Sequence, residues 1–314
     1  MPKPLALVTR MDAATEAIWK DALSEALPEE TLMAFREMTP QQRDAAEMAI
    51  VANPDPAQVA QLPNIAWIHS LWAGVERLVA ELGADAPPIV RLVDPELARV
   101  MAEAVLAWTY YLHRDMPAYR KSQQAGQWAP RDYRHPRDIT VGLLGLGELG
   151  RAAAGRLQAA GFDVIGWSRR EATLEGAKTF CGEDGLVQVL AASDILVCLL
   201  PLTGETRGLL DARRLAQMKH GAAIVNFARG PIIVDADLIA ALDAGRLSHA
   251  VLDVFEQEPL PAVSPFWAHP AVTVLPHISG PTDRFTAAGI VAANIRRWRQ
   301  TGELPKTIDR SAGY

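Results

Sequence analysis

A chain of 314 residues, 49% hydrophobic and 22% charged, is long enough for two globular domains at about 150 residues each. Acidic residues outnumber basic ones 37 to 31, a net charge of −6. This argues against nucleic acid as a partner, because affinity for a phosphate backbone needs clustered Lys and Arg, but it leaves room for a local basic pocket. The apolar run Ile195–Leu202 falls far short of the ~20 residues of a membrane helix, so no membrane partner is expected. The N-terminal MPKPLALVTRMD turns polar at Thr9 and reads as a first strand, not a signal peptide. Cys181 and Cys198 form no metal or redox spacing and read as ordinary half-buried thiols of a cytoplasmic protein, with no metal site expected.

Along the chain, strand-like runs fall at Leu5–Thr9, Thr31–Phe35, Met48–Ala52, Ile65–Leu71 and Ile89–Val93. Helix-like stretches Ala14–Ala26, Ala57–Gln61 and Val75–Leu82 alternate with them, the rhythm of a parallel sheet with helices on both faces. Asp94-Pro95-Glu96 then reads as a helix start, with Asp94 as N-cap and Pro95 at the first helical position. The stretch Leu97–Tyr111 is apolar on nearly every face, which predicts burial on all sides, between domains or in a subunit interface. Tyr119–Arg137 reads as a loop.

A second rhythm follows. Strands are predicted at Ile139–Leu144, Asp163–Trp167, Ile195–Leu200, Ala222–Phe227, Ala250–Val254 and Val272–Leu275. Helices are predicted at Leu149–Ala160, Ala212–Met218 and Ala236–Ala244. Six strands with crossovers match the two halves of a dinucleotide-binding sheet. A last helix pattern, Arg284–Gln300, lies beyond that sheet and could pack back on the first domain.

Gly145-Leu146-Gly147-Glu148-Leu149-Gly150 follows an apolar strand and opens a helix. In that context Gly145 permits the tight turn, Gly147 lets a pyrophosphate approach the backbone, and Gly150 lets helix and strand pack closely. An NAD site usually carries an Asp or Glu ~20 residues further on, for the ribose 2′-hydroxyl. Here Ser168, Arg169 and Arg170 stand at that place. A carboxylate would repel a 2′-phosphate and a guanidinium pairs with it, so NADP(H) is the predicted cofactor, with NAD(H) as the lesser alternative.

Arg229, Glu258 and His277 each follow a late apolar strand of the second rhythm. A parallel sheet would aim all three at one crevice beyond its carboxyl edge. The set suits reduction of a 2-oxo acid. An imidazolium can donate a proton to the carbonyl oxygen, a neighbouring carboxylate raises its pKa, and an arginine can bind a carboxylate and polarise the carbonyl.

These residues, with SLWAGVERL, GLLGLGELGR, WSRR, LLPLTGETRGLL, NFARGPIIVDADLIAALDAGRLSHAVLDVFEQEPL and LPHISGPT, resemble the D-isomer-specific 2-hydroxyacid dehydrogenase family. Within it the chain is most similar to the glyoxylate/hydroxypyruvate reductase A group. The resemblance implies an α/β chain of two doubly wound parallel-sheet domains. A discontinuous, flavodoxin-like substrate domain (residues 1–95 and 282–314) would flank a Rossmann dinucleotide-binding domain (96–281), with an active-site cleft between them. It also implies a homodimer built around the helix near Glu96–Arg114, and small 2-oxo or 2-hydroxy acids as substrates. Arg229, Glu258 and His277 carry over as active-site residues, His277 as the proton donor. Pro201, Thr206 and Asp253 carry over as residues lining the cofactor.

The resemblance also gives the backbone N–H groups of Trp72, Ala73 and Gly74 to the substrate carboxylate. Trp72 departs from the small residue often found there and would narrow or reshape the acyl pocket. Trp128 matches an aromatic that reaches a partner's active site or packs at the rim. Two other readings compete: a dinucleotide-sensing interaction protein of the same fold, and a dehydrogenase of a larger 2-oxo acid.

Overall fold

The computed structural model describes residues 3–310. The chain divides into two compact units. Unit one comprises the residues up to Glu96 and those from Thr282 on, and unit two is Leu97–Pro281.

Unit one runs β1 (Leu5–Thr9), α1 (Ala13–Ala26), β2 (Leu32–Ala34), α2 (Pro40–Ala45), β3 (Met48–Ala52), α3 (Pro56–Val59), β4 (Trp67–Ser70), α4 (Glu76–Leu82) and β5 (Ile89–Val90). Its strands pair in parallel in the order β2-β1-β3-β4-β5, the flavodoxin-like arrangement. Both β1 and β3 are buried along their whole length, as strands covered on two faces must be. Alternate residues serve opposite cores. Leu5 and Leu7 meet Trp19, Leu23 and Trp67, whereas Ala6 and Val8 meet Phe35, Val51 and Ile68.

The chain continues through α5 (Pro95–His113), whose start is set as the sequence predicts: Asp94 Oδ1 accepts the Glu96 amide at 2.8 Å. Unit two then carries α6 (Met116–Gln124), β6 (Thr140–Leu144), α7 (Glu148–Ala159), β7 (Asp163–Ser168), β8 (Lys178–Cys181), α8 (Gly182–Ala192), β9 (Ile195–Cys198), α9 (Ala212–Leu215), β10 (Ala222–Asn226), α10 (Asp235–Asp243), β11 (Leu247–Leu252) and β12 (Val272–Val274). All seven strands are parallel, in the order β12-β11-β10-β9-β6-β7-β8. This is a Rossmann sheet whose order reverses between β6 and β9, where such sheets open a crevice. The segments after β6, β7, β9, β10, β11 and β12 therefore leave the same edge.

The last helix, α11 (Arg284–Thr301), packs in unit one. Ala287, Ala288, Val291, Ala292 and Ile295 enter the core of Leu5, Trp19, Leu23 and Trp67. Trp298 meets Trp67 edge-on at 5.6 Å. Asp283 caps the start by accepting the Phe285 and Thr286 amides, and Gly302 ends the helix in a left-handed turn.

Five elements depart from the sequence reading. Helix α2 has no counterpart in it and, burying no residue, carries no apolar stripe. The predicted loop 119–137 gives its first part to α6, a helix with no buried residue and hence no apolar stripe to announce it. Edge strand β8 is only partly buried, and α8 carries Gly182 and Gly185, which mask its periodicity. Helix α5 is not buried on all sides within the chain. Leu97, Ala98, Met101, Ala102, Val105 and Thr109 face inward while Glu103, Ala107 and Tyr110 stay exposed. The two cysteines differ as well: Cys181 is exposed, and burial pushes the Cys198 thiol up to about 12. No helix among the described residues is long and apolar enough to cross a membrane.

Two buried histidines make stability depend on pH. His69 Nδ1 donates to the Ser70 carbonyl at 2.9 Å and Nε2 accepts from Asn294 Nδ2 at 3.0 Å, which fixes a neutral ring. Burial lowers its pKa to about 4. Burial, aided by the charges of Lys121 and His269, lowers His249 to about 4 as well. Both lie below the ordinary value near 6.5, so the unfolded chain takes up these protons first as pH falls. Their contribution is complete above pH ~6.5 and drains away towards pH ~4. Urea midpoints should fall through that window, and His69→Gln should flatten the part of the decline that belongs to unit one.

Candidate active site

The first polar position on the unit-two edge comes from β10. Asn226 ends the strand almost fully buried and grips the turn that follows. Its Oδ1 accepts the Ala228 amide and its Nδ2 donates to the Arg229 carbonyl, both at 3.1 Å. Arg229 is held at the start of a short 3₁₀ turn, Gly230–Ile232. A Cβ on Gly230 would lie 2.0 Å from the Phe255 backbone, so only glycine lets this turn press against the segment after β11. That contact carries Arg229 towards Glu258.

Glu258 Oε1 accepts the Phe255 amide at 3.0 Å, and its Oε2 accepts from His277 Nδ1 at 2.7 Å. His277 Nε2 thus faces outward from the pair, and 52% of the side chain is exposed. The Glu258 bond lifts the imidazole pKa above its ordinary value against the opposing effects of burial and Arg229, and Asp253 adds to the rise. Burial by itself would raise Glu258. The His277 bond, the Phe255 amide and the charges of His277 and Arg229 outweigh it and hold the carboxylate below its usual range. Arg229, Glu258 and His277 therefore share one electrostatic neighbourhood, as their placement after successive parallel strands implies.

His277 adopts a left-handed backbone, φ +54°, uncommon for a residue with a side chain. Asp253 holds it there. This carboxylate, 1% exposed, accepts the Ile278 amide at 2.8 Å and the Ser279 amide at 2.9 Å. The structure thus spends both Asp253 oxygens on the histidine loop. Asp253, which the resemblance assigns to the cofactor lining, holds this loop, and Asn226 and Gly230 are positions the sequence analysis does not name. A polar residue closing an otherwise apolar strand was the available signal for Asn226.

At the other end of the same edge, Gly145 turns with φ +105°, and a Cβ there would lie 2.8 Å from the Leu199 carbonyl oxygen. A Cβ on Gly150 would collide with the Gly145 carbonyl at 1.9 Å. At Gly147 nothing lies within 4 Å of that position, so the backbone there is open to an incoming group. No side chain caps the start of α7, which leaves the amides of Glu148, Leu149 and Gly150 for an anion. This cradle fits the pyrophosphate of a dinucleotide.

The Thr206 hydroxyl closes the next turn, donating to the Pro201 carbonyl and accepting the Thr203 amide at 2.7 and 2.8 Å. Ser168 Oγ donates to the Arg170 carbonyl at 2.6 Å, which shapes the turn that presents Arg169 and Arg170. No carboxylate belongs to that turn; Arg169 instead reaches Glu205.

In unit one the segment Trp72–Gly74 follows β4 at the carboxyl edge. The Trp72 amide donates to Ser70 Oγ at 3.0 Å and is already committed. The amides of Ala73 and Gly74 have no hydrogen-bond partner among the described residues and can receive an anion. The Trp72 indole packs edge-on against Trp19 at 5.6 Å on the unit-one core. Trp128 is 98% exposed within the chain.

Residues 106–279 match the family model described as D-isomer specific 2-hydroxyacid dehydrogenase, NAD binding domain. Solved structures match over the whole chain. A D-isomer specific 2-hydroxyacid dehydrogenase from Xanthobacter autotrophicus, in complex with NADPH and MES, is 40% identical over 100% of both chains, with a TM-score of 0.92. An NADPH-dependent glyoxylate/hydroxypyruvate reductase from Sinorhizobium meliloti, in complex with NADP and sulfate, is 33% identical over 99% of this chain and 100% of that one, with a TM-score of 0.91. A probable 2-hydroxyacid dehydrogenase from Rhizobium etli, in complex with NADP, HEPES and tartaric acid, is 33% identical over 100% and 99%, with a TM-score of 0.89.

The His277–Glu258 pair predicts a titration that NMR can follow. The His277 ring should titrate above the ordinary histidine range near 6.5. Glu258→Gln should lower its midpoint, since a neutral amide no longer favours the charged ring. An unchanged midpoint would remove Glu258 as the cause.

Proposed function

The chain belongs to the D-isomer specific 2-hydroxyacid dehydrogenase family, and from that premise we propose that it reduces small 2-oxo acids, glyoxylate and hydroxypyruvate foremost, at the expense of NADPH. The observation that carries this reading is the 2.7 Å His277–Glu258 pair within electrostatic reach of Arg229, at the edge that also carries the glycine cradle. The name and the bound NADP of the Sinorhizobium meliloti structure support the choice of substrate and cofactor.

Bound NADPH would supply the hydride to the substrate's carbonyl carbon. His277 donates a proton from Nε2 to the carbonyl oxygen as negative charge builds there. Glu258 keeps the ring charged and fixes which nitrogen faces outward. Arg229 binds the substrate carboxylate and polarises the carbonyl. Ser168, Arg169 and Arg170 receive the ribose 2′-phosphate, where a carboxylate would have repelled it. In this reading residues 96–281 form the dinucleotide-binding domain, and residues 1–95 with 282–314 the substrate-binding domain. The chain assembles as a homodimer through the face of α5 that its own unit leaves open.

The first experiment follows NADPH absorbance with glyoxylate, hydroxypyruvate and phenylpyruvate. Turnover fastest with the two smaller acids is expected, a preference for phenylpyruvate would point to a larger substrate, and no turnover would favour a dinucleotide sensor. His277→Asn should lower kcat by ~10²–10⁴ while NADPH still binds, and a near-normal rate would dismiss it as the proton donor. Reduction needs the charged ring. Its rate should hold below the raised pKa of His277 and fall as pH climbs through it, with the reverse for oxidation. Ser168→Asp with Arg169→Ala should swing preference towards NADH; unchanged selectivity would refute the 2′-phosphate assignment.

A further inference from the structure

The two arginines after β7 are in different states. Arg169 Nη1 donates to Glu205 Oε2 at 2.5 Å. Glu205 stands in the turn that the Thr206 hydroxyl ties to Pro201 and Thr203. The Arg170 side chain has no hydrogen-bond or ion-pair partner among the described residues.

We propose that Glu205 is a specificity-determining residue of the cofactor site: its carboxylate holds the Arg169 guanidinium that a 2′-phosphate takes over, and cofactor binding exchanges one anion for the other. This rests on the reading that the turn at 168–170 receives the 2′-phosphate. The side chains of Arg169 and Glu205 are 37% and 67% exposed, so their ion pair is weak and readily given up. A phosphate monoester brings about −1.5 to −2 charges and bidentate geometry against the single charge of a carboxylate. The exchange therefore favours the phosphate. A 2′-hydroxyl can accept a hydrogen bond but brings no charge to compete with the carboxylate, and it leaves the pair intact. Glu205 thus weakens NADPH while leaving NADH untouched, and so limits how sharply the site distinguishes them. Arg170, uncommitted, supplies the charge that first attracts the phosphate.

Calorimetry with 2′,5′-ADP and 5′-AMP tests this on the whole chain without turnover. Glu205→Gln, which preserves the size of the side chain, should tighten 2′,5′-ADP by about two- to fivefold and leave 5′-AMP unchanged. In an Arg169→Ala background the same substitution should lose most of that gain, because the two residues act as a pair. Unchanged or weaker 2′,5′-ADP binding in Glu205→Gln would overturn the exchange. So would equal tightening of 5′-AMP, or a full gain without Arg169. If the unsubstituted protein binds 2′,5′-ADP no better than 5′-AMP, the 2′-phosphate assignment itself fails and the exchange fails with it. If that discrimination is present and Glu205→Gln is silent, only the exchange falls.

Discussion

Asp253 directly follows β11 with almost no exposure, and both of its oxygens accept amides from the two residues that follow His277. Removing a carboxylate from water is costly unless its lone pairs are satisfied, and hydrogen bonds to a charged acceptor contribute roughly 1.5–3 kcal/mol each. The left-handed backbone at His277 costs about 1–2 kcal/mol, less than the two bonds return. A buried anion thus fixes the loop, the loop aims the imidazole, and Glu258 fixes which nitrogen faces out. Asn226 acts in the same way for the turn that bears Arg229. The proposed chemistry falls to exposed or half-buried side chains carried on backbone that is tied down beneath the surface.

The nucleotide end of the sheet follows different rules. Gly145 and Gly150 are demanded by backbone contacts within the protein, and Gly147 by the space it leaves open. Only the last concerns a ligand. The glycine pattern is therefore two-thirds architecture, which is why such a motif means little until a strand precedes it and a helix follows. In the proposed reading, choice between dinucleotides falls instead to the turn at Ser168–Arg170, where small differences in charge decide.

Parallel topology made much of this legible in advance. Strands buried on both faces wrote themselves as apolar runs, as in LALVT and MAIVA, and their carboxyl ends located Arg229, Glu258 and His277. What stayed hidden had physical reasons. Helix α6 buries nothing and shows no stripe. Glycines interrupt α8, where a Cβ on Gly185 would lie 3.2 Å from the Phe180 backbone. The commitment of Asp253 to amides in a loop, like the clash awaiting a Cβ on Gly230, depends on contacts between segments that no local pattern records. The packing of the Trp72 indole on Trp19, more than fifty residues earlier, is likewise a contact between segments.

The place of α11 bears on how the molecule is made. Its alanine-rich face completes the core around Trp19 and Trp67, yet it is synthesised only after the whole of unit two. During translation the first sheet must wait with the part of one apolar face that α11 covers left open, while the inserted Rossmann sheet already has all its strands. Domains form as units in the order they emerge, and uncovered apolar surface invites aggregation. The strands of the first unit are thus among the last to be sealed.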